Sequence, residues 1–157
     1  MACSVAMRIA QTPEWLAAHI VSGSSEGILF AGLDGVISFW NAGAEAIFGW
    51  SSAEVVGRSM DMIIPERLRG RHWDGWKKVM ETGVTRYGAG ELLAVPALRK
   101  DGSDLSIEFS IQMLRDEAGE IVGPVAIIRD VTERWKRDKE LRLRVKELEA
   151  RLERGGR

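Results

Sequence analysis

Cysteine is all but missing from this 157-residue chain, with Cys3 its only example. A lone thiol in the N-terminal tail excludes a disulfide framework, a cysteine-ligated zinc site and a catalytic cysteine–histidine pair. Histidine is almost as scarce. His19 and His72 fall on different predicted elements, so a paired-histidine metal site is not expected. No apolar run approaches the roughly 20 residues that span a bilayer, so no membrane partner is expected. The N-terminal "MACSVAMRIAQTPEW" has one early arginine and no long apolar stretch. Export is therefore not expected, and a reducing cytoplasm is the expected location.

Catalytic signatures are lacking too. There is no P-loop, nucleophile elbow or HExxH pattern, and "GAGELL" has G-x-G without the third glycine of a dinucleotide loop. Asp61, Glu66 and Asp74 do not form a defensible acid/base pair, so the chain is not expected to be an enzyme. Residues 132–157 carry ten Lys/Arg against six Asp/Glu, which leaves twelve against seventeen in residues 1–131. The C-terminal charges are interleaved rather than gathered in a basic stripe, so direct nucleic-acid binding is not expected.

What is present reads as one soluble domain with an extension. Apolar residues make up 45% and charged residues 29%, and no internal repeat or low-complexity segment occurs. The organisation expected is a tail and amphipathic cap helix over 1–23, a domain over 24–131, and an exit helix over 132–157. In the first segment "PEWLAAHIV" (13–21) starts with a helix-compatible proline and places Trp15, Leu16, His19 and Ile20 on one face, with "SGSSEG" breaking it. "GILFAG" (27–32) and "VISFWN" (36–41) read as strands joined across Asp34-Gly35. Short helices follow at 42–48 and 52–56, the second opened by a capping box in "SSAE".

Three longer strands are expected at 85–98, 104–114 and 121–129. In the middle one Leu105, Ile107, Phe109 and Ile111 alternate with Ser106, Glu108, Ser110 and Gln112. Period-2 patterning of that kind means a half-buried antiparallel strand. The fold class is α+β: a five-stranded antiparallel sheet with helices over one face. In the exit helix Leu141, Val145, Leu148 and Leu152 are spaced 4, 3, 4, with Glu140/Arg144 and Glu147/Arg151 in the favoured i,i+4 order. This predicts a short coiled coil between the two copies of a homodimer; a lone monomeric helix is the alternative.

Between the two groups of strands, "PERLRGRHWDGWKK" (65–78) opens a predicted helix over 66–82, closed by Gly83. Leu68, His72, Trp76, Val79 and Met80 fall on one face of it. A histidine on an apolar stripe is either a hydrogen-bonded core residue or a group aimed into a cavity, and the spacing alone allows both.

The ordered motifs "GILFAGLDGVISFWNAGAEAIFGW", "SSAEVVGRSM", "LRKDGSDLSIEFSI" and "RDVTER" resemble those of PAS sensor domains over residues 24–134. "IPERLRGRH" is similar to the haem-binding helix of the oxygen-sensing PAS subfamily, found in nitrogen-fixation sensor kinases and haem-regulated cyclic-dinucleotide phosphodiesterases. That resemblance implies a haem b cofactor with His72 as the iron ligand. It also implies Trp76 and Met80 at the ring edge, and Lys78 or Arg86 near the propionates. Leu93, Phe109 and Ile111 would form the opposite wall.

The chain departs from the subfamily on the strand after "GAG". Counting back from "KDG", Leu93 takes the place of an oxygen-holding arginine and Glu91 that of a competing methionine. The implied partner is a diatomic gas (CO, NO or O₂), with oxygen held weakly for want of a charged donor. The expected function is a sensor that signals through a dimeric exit helix to an effector, either a separate protein or a further domain. A haem-free PAS interaction module, or a sensor of another small ligand, is the alternative. A flavin photosensor fits less well, because the cysteine motif is missing.

Overall fold

The computed structural model describes residues 12–84 and 92–155. Cys3, Arg86 and Glu91 lie outside the described residues. Helix α1 (Pro13–Gly23) is capped by Thr12, whose side chain accepts from the Trp15 N–H. It runs two residues beyond the pattern, through "SG", where the Ser22 hydroxyl donates back to the Ala18 carbonyl at 2.8 Å. None of its residues is buried.

Strands β1 (Gly27–Ala31) and β2 (Ile37–Trp40) form the expected hairpin, each slightly shorter than the pattern. Helices α2 (Ala42–Phe48) and α3 (Ser52–Val55) follow, then a 3₁₀ turn at Met60–Ile63 that the pattern did not foretell. Helix α4 (Glu66–Thr82) occupies the predicted span and ends at Gly83 with φ 67°, a left-handed cap. Strands β3 (Leu93–Leu98), β4 (Asp104–Arg115) and β5 (Ile121–Asp130) complete the sheet. Of the strand expected over 85–98, residues 85–91 are outside the described set. Helix α5 (Thr132–Gly155) is the exit helix.

The sheet order is β2-β1-β5-β4-β3, with every neighbouring pair antiparallel. Leu93 lies opposite Phe109, Phe109 opposite Ile128, and Ile111 opposite Ala126, so these side chains share one face with Leu105 and Ile107. On that face the core forms from Leu29, Trp40, Leu105, Ile107 and Ile128 of the sheet. Phe48, Val55, Met60 and Ile63 cover them from α2, α3 and the 3₁₀ turn. Burial of each large apolar side chain here stabilises the domain by about 1.5–3 kcal/mol. The other face is bare in places: Phe39 is 39% and Ile127 41% exposed.

Asn41 sets how closely the helical layer approaches. It is 4% exposed, yet all its hydrogen-bonding capacity is used. Its Oδ1 accepts from the Ile28 and Ala44 N–H groups, and its Nδ2 donates to the Val21 and Glu26 carbonyls. One amide thereby caps α2 and ties it to α1 and β1. Gly43 makes the approach possible, because a Cβ there would sit 2.2 Å from the Glu26 carbonyl oxygen.

Two expected ion pairs of helix α5 need correction. Neither Glu140–Arg144 nor Glu147–Arg151 closes as an ion pair; Arg144 approaches Glu147 instead, at 3.8 Å. Exposed long side chains gain only a few tenths of a kcal/mol from either geometry, so spacing alone does not select the partner. Among the described residues no helix is long and apolar enough to cross a membrane.

Candidate functional site

Two tryptophans anchor helix α4 to the turn between β1 and β2. Trp73 donates its indole N–H to Asp61 at 2.8 Å, and its ring lies against Gly35. A Cβ at Gly35 would stand 2.3 Å from that ring, and φ there is 74°, so both packing and backbone require glycine. Trp76 donates to the Leu33 carbonyl at 2.9 Å. At its far end α4 meets the β4–β5 hairpin, where Gly83 sits against Ile121 and Arg115. The predicted stripe holds: Leu68, His72, Trp76, Val79 and Met80 are all half-buried, and none is fully buried.

The His72 ring clusters with both of these anchors. Its ring meets Trp73 edge-on at 4.9 Å and tilts against Trp76 at 5.9 Å. The Nε2 atom is buried without a hydrogen-bond partner. Burial lowers the imidazole pKa, and the Asp61 carboxylate only partly opposes this. The ring is therefore neutral at pH 7. Leaving a buried polar atom unpaired costs about 1–3 kcal/mol, and such an atom calls for an explanation. A neutral imidazole nitrogen with no internal partner can bind a metal through its lone pair, or donate to a bound ligand if it carries the proton.

The structure places the other predicted residues unevenly. Phe109 packs on the core from β4, as Trp76 does from α4. Leu93 and Ile111 stand half-buried on the same sheet face as Phe109. Met80 is half-buried on α4, one turn beyond Trp76. Trp76 commits its N–H to Leu33, so it offers ring surface rather than a polar contact. Lys78 is exposed. The stripe reading missed Trp73, which sits next to His72 and, like Trp76, packs its ring against the imidazole. The signal was present as the paired tryptophans of "HWDGW", but they seat on two separate turns, Trp73 on Asp61 and Gly35 and Trp76 on Leu33. Among the described residues no group of three or more His, Cys, Asp or Glu could hold a metal ion. An ion bound by His72 would thus need to bring most of its own ligands, as a porphyrin does.

A family model described as the PAS fold matches residues 21–136. The chain belongs to the PAS family. This PAS domain is 28% identical over 118 residues to "Sensor protein FixL" of Bradyrhizobium diazoefficiens, a match covering 75% of the chain and 22% of that protein. It is 30% identical over 96 residues to "Oxygen sensor protein DosP" of Escherichia coli K12, covering 61% of the chain and 12% of that protein. The chain thus spans less than a quarter of the curated relatives it matches. A solved PAS domain from Colwellia psychrerythraea superposes with a TM-score of 0.65 at 23% identity, covering 75% of this PAS domain and 96% of that one. At that identity the likeness speaks for the fold alone.

Proposed function

We propose that this PAS domain is the sensory part of a signalling protein and binds haem b through His72. The observation that carries the reading is the buried, unpartnered Nε2 of a neutral imidazole on the inward face of α4. The donor set fits: one imidazole, apolar walls, and no competing cluster of metal ligands among the described residues. The name of the oxygen-sensor relative, and the resemblance of "IPERLRGRH" to the haem-binding helix, support it. When bound, haem would supply an iron able to take up a diatomic gas: CO, NO or O₂.

The chain's own residues have separable roles. His72 would hold the iron, and Trp73, fixed by Asp61 and Gly35, would keep the imidazole from turning. Leu93, Phe109 and Ile111 would exclude water without offering a hydrogen-bond donor. Met80 and the Trp76 ring would contact the macrocycle edge, and Lys78 and Arg86 would serve its carboxylates. A change in the core would leave through the β5–α5 junction, in a cytoplasmic homodimer, toward a separate effector or another part of a longer chain. The domain itself would perform no catalysis.

Absorption spectra of the purified chain after reconstitution with haem test this directly. Wild type should take up one equivalent and show a Soret band, and His72→Ala should lose it. If both proteins stay equally colourless, His72 is a core histidine of a haem-free PAS module.

A further inference from the structure

One carboxylate is held toward the candidate site. Asp61 belongs to the 3₁₀ turn, whose Met60 and Ile63 side chains are buried in the core. Its N–H donates to the Ser59 hydroxyl, and its Oδ1 accepts from the Trp73 indole at 2.8 Å. The Trp73 ring in turn meets the His72 imidazole edge-on at 4.9 Å. Carboxylate, indole and imidazole thus form one chain of contacts, in which the indole keeps the acid from turning out into water. The nearby Arg69 does not neutralise it. That guanidinium stands 4.0 Å from Oδ1 and spends its Nε–H on the Ile64 carbonyl.

Seating Trp73 does not by itself require a charge, because the amide oxygen of an asparagine would accept the same hydrogen bond. What an aspartate adds is its field. Burial disfavours a positive charge on His72, and the Asp61 carboxylate works against that by favouring one. A proton on Nε2 and an iron bound at Nε2 place positive charge at the same point. A carboxylate that favours the first also favours the more positive of two iron oxidation states.

We propose that Asp61 is a positioning residue that sets the redox poise of the His72 site, its charge held in place by Trp73 and favouring ferric over ferrous iron. This rests on the haem reading above. Because CO and O₂ bind ferrous iron, Asp61 would decide how reducing the surroundings must be before the site can take up either gas.

The test uses the full chain reconstituted with haem b, with the Soret band followed during a potentiometric titration. Asp61→Asn keeps an acceptor for Trp73 and removes the charge. It should take up one equivalent, as wild type does. Its midpoint potential should rise by about 40 mV, an about fivefold change in the ferric-to-ferrous ratio at about 59 mV per tenfold for one electron. Added salt should shrink the difference, since the Asp61 side chain is 40% exposed. Asp74→Asn removes an exposed charge from the same helix and should leave the midpoint unchanged. Trp73→Phe keeps a ring beside His72 but releases the carboxylate, and should raise the midpoint by less than Asp61→Asn does. If Asp61→Asn shifts no further than Asp74→Asn, Asp61 only seats Trp73; the proposal is overturned and the haem reading stands. Should Asp61→Asn fail to hold haem, Trp73→Phe decides, and an unmoved midpoint there overturns the proposal. A wild type that takes up no haem overturns both readings.

Discussion

At the scale of single residues, Glu54 shows how much a surface carboxylate can be asked to hold. It accepts from the Ser51 N–H and hydroxyl at 3.0 Å, and pairs with Lys100 from the β3–β4 turn. The Lys100 hydrogen bond, then those from Ser51, lower its pKa from 4.5 to about 2. A carboxylate depressed in the folded state binds protons more readily when unfolded. Its contribution is therefore complete above pH 4.5 and is lost as pH falls toward 2. The stability gap between wild type and Glu54→Gln, measured by urea denaturation, should be constant near neutrality and close between pH 4.5 and 2. A gap independent of pH would show that the ion pair contributes nothing. Leu93 provides a second residue-scale prediction. A hydrogen bond to a charged donor contributes about 1.5–3 kcal/mol, so Leu93→Arg in haem-loaded protein should raise oxygen affinity at least tenfold and leave CO affinity nearly unchanged, as gas titrations would record. Helical spacing was enough to put His72 on the inward stripe. It could not show that Nε2 lacks a partner, because that depends on how Trp73 and Trp76 seat on residues 33–35, some 40 positions earlier in the chain.

At the scale of elements, the junction between β5 and α5 is built differently from a simple cap. Asp130 accepts from the Thr132 N–H at 2.8 Å through one oxygen and meets Arg99 at 2.6 Å through the other. Arg99 in turn donates to the Ile47 carbonyl at the end of α2. Thr132 uses its hydroxyl to accept from the Ser106 N–H on β4. The start of α5 is thus bound to the helical layer through Asp130 and to the sheet through Thr132. Asp130→Ala should cost about 1 kcal/mol through the lost cap and reduce hydrogen-exchange protection over residues 133–140. Unchanged stability together with unchanged protection would remove Asp130 from the signalling route. Where chain chemistry marks an end, the elements were legible: the capping box opens α3, Gly83 closes α4, and strict alternation marks β4. The 3₁₀ turn at 60–63 was not, because "MDMIIP" has no helical or strand period. Its form depends on Met60 and Ile63 being drawn into the core and on the Ser59 hydroxyl accepting from the Asp61 N–H.

At the scale of the whole molecule, the apolar side chains left uncovered are concentrated on a few surfaces. Trp15, Leu16 and Ile20 lie along α1, Phe39 and Ile127 on the outer sheet face, and the leucine–valine seam along α5. Scattered exposed leucines need no explanation, but rows of them on two helices do. Neither helix gains much from burial in its own chain: α1 has no buried residue, and the residues of α5 that stay half-covered are few. Most helical stability in proteins comes from packing an apolar face, and the second copy proposed above would supply the missing cover. The buried apolar side chains among the described residues, by contrast, all fall between Leu29 and Val131. Removing residues 136–157 should therefore leave the domain folded, with Thr132 and Arg134 still seated on β4 and the near-ultraviolet signal of Trp40, Trp50, Trp73 and Trp76 intact. Association should weaken by about tenfold or more, since an apolar side chain that loses its cover forfeits about 1.5–3 kcal/mol. Light scattering across a concentration series of both proteins measures this. A full-length chain that remains monomeric at high concentration would mean that α1 and α5 await a different partner. A truncated chain that dimerises as well as the full one would assign the interface to α1 and the sheet.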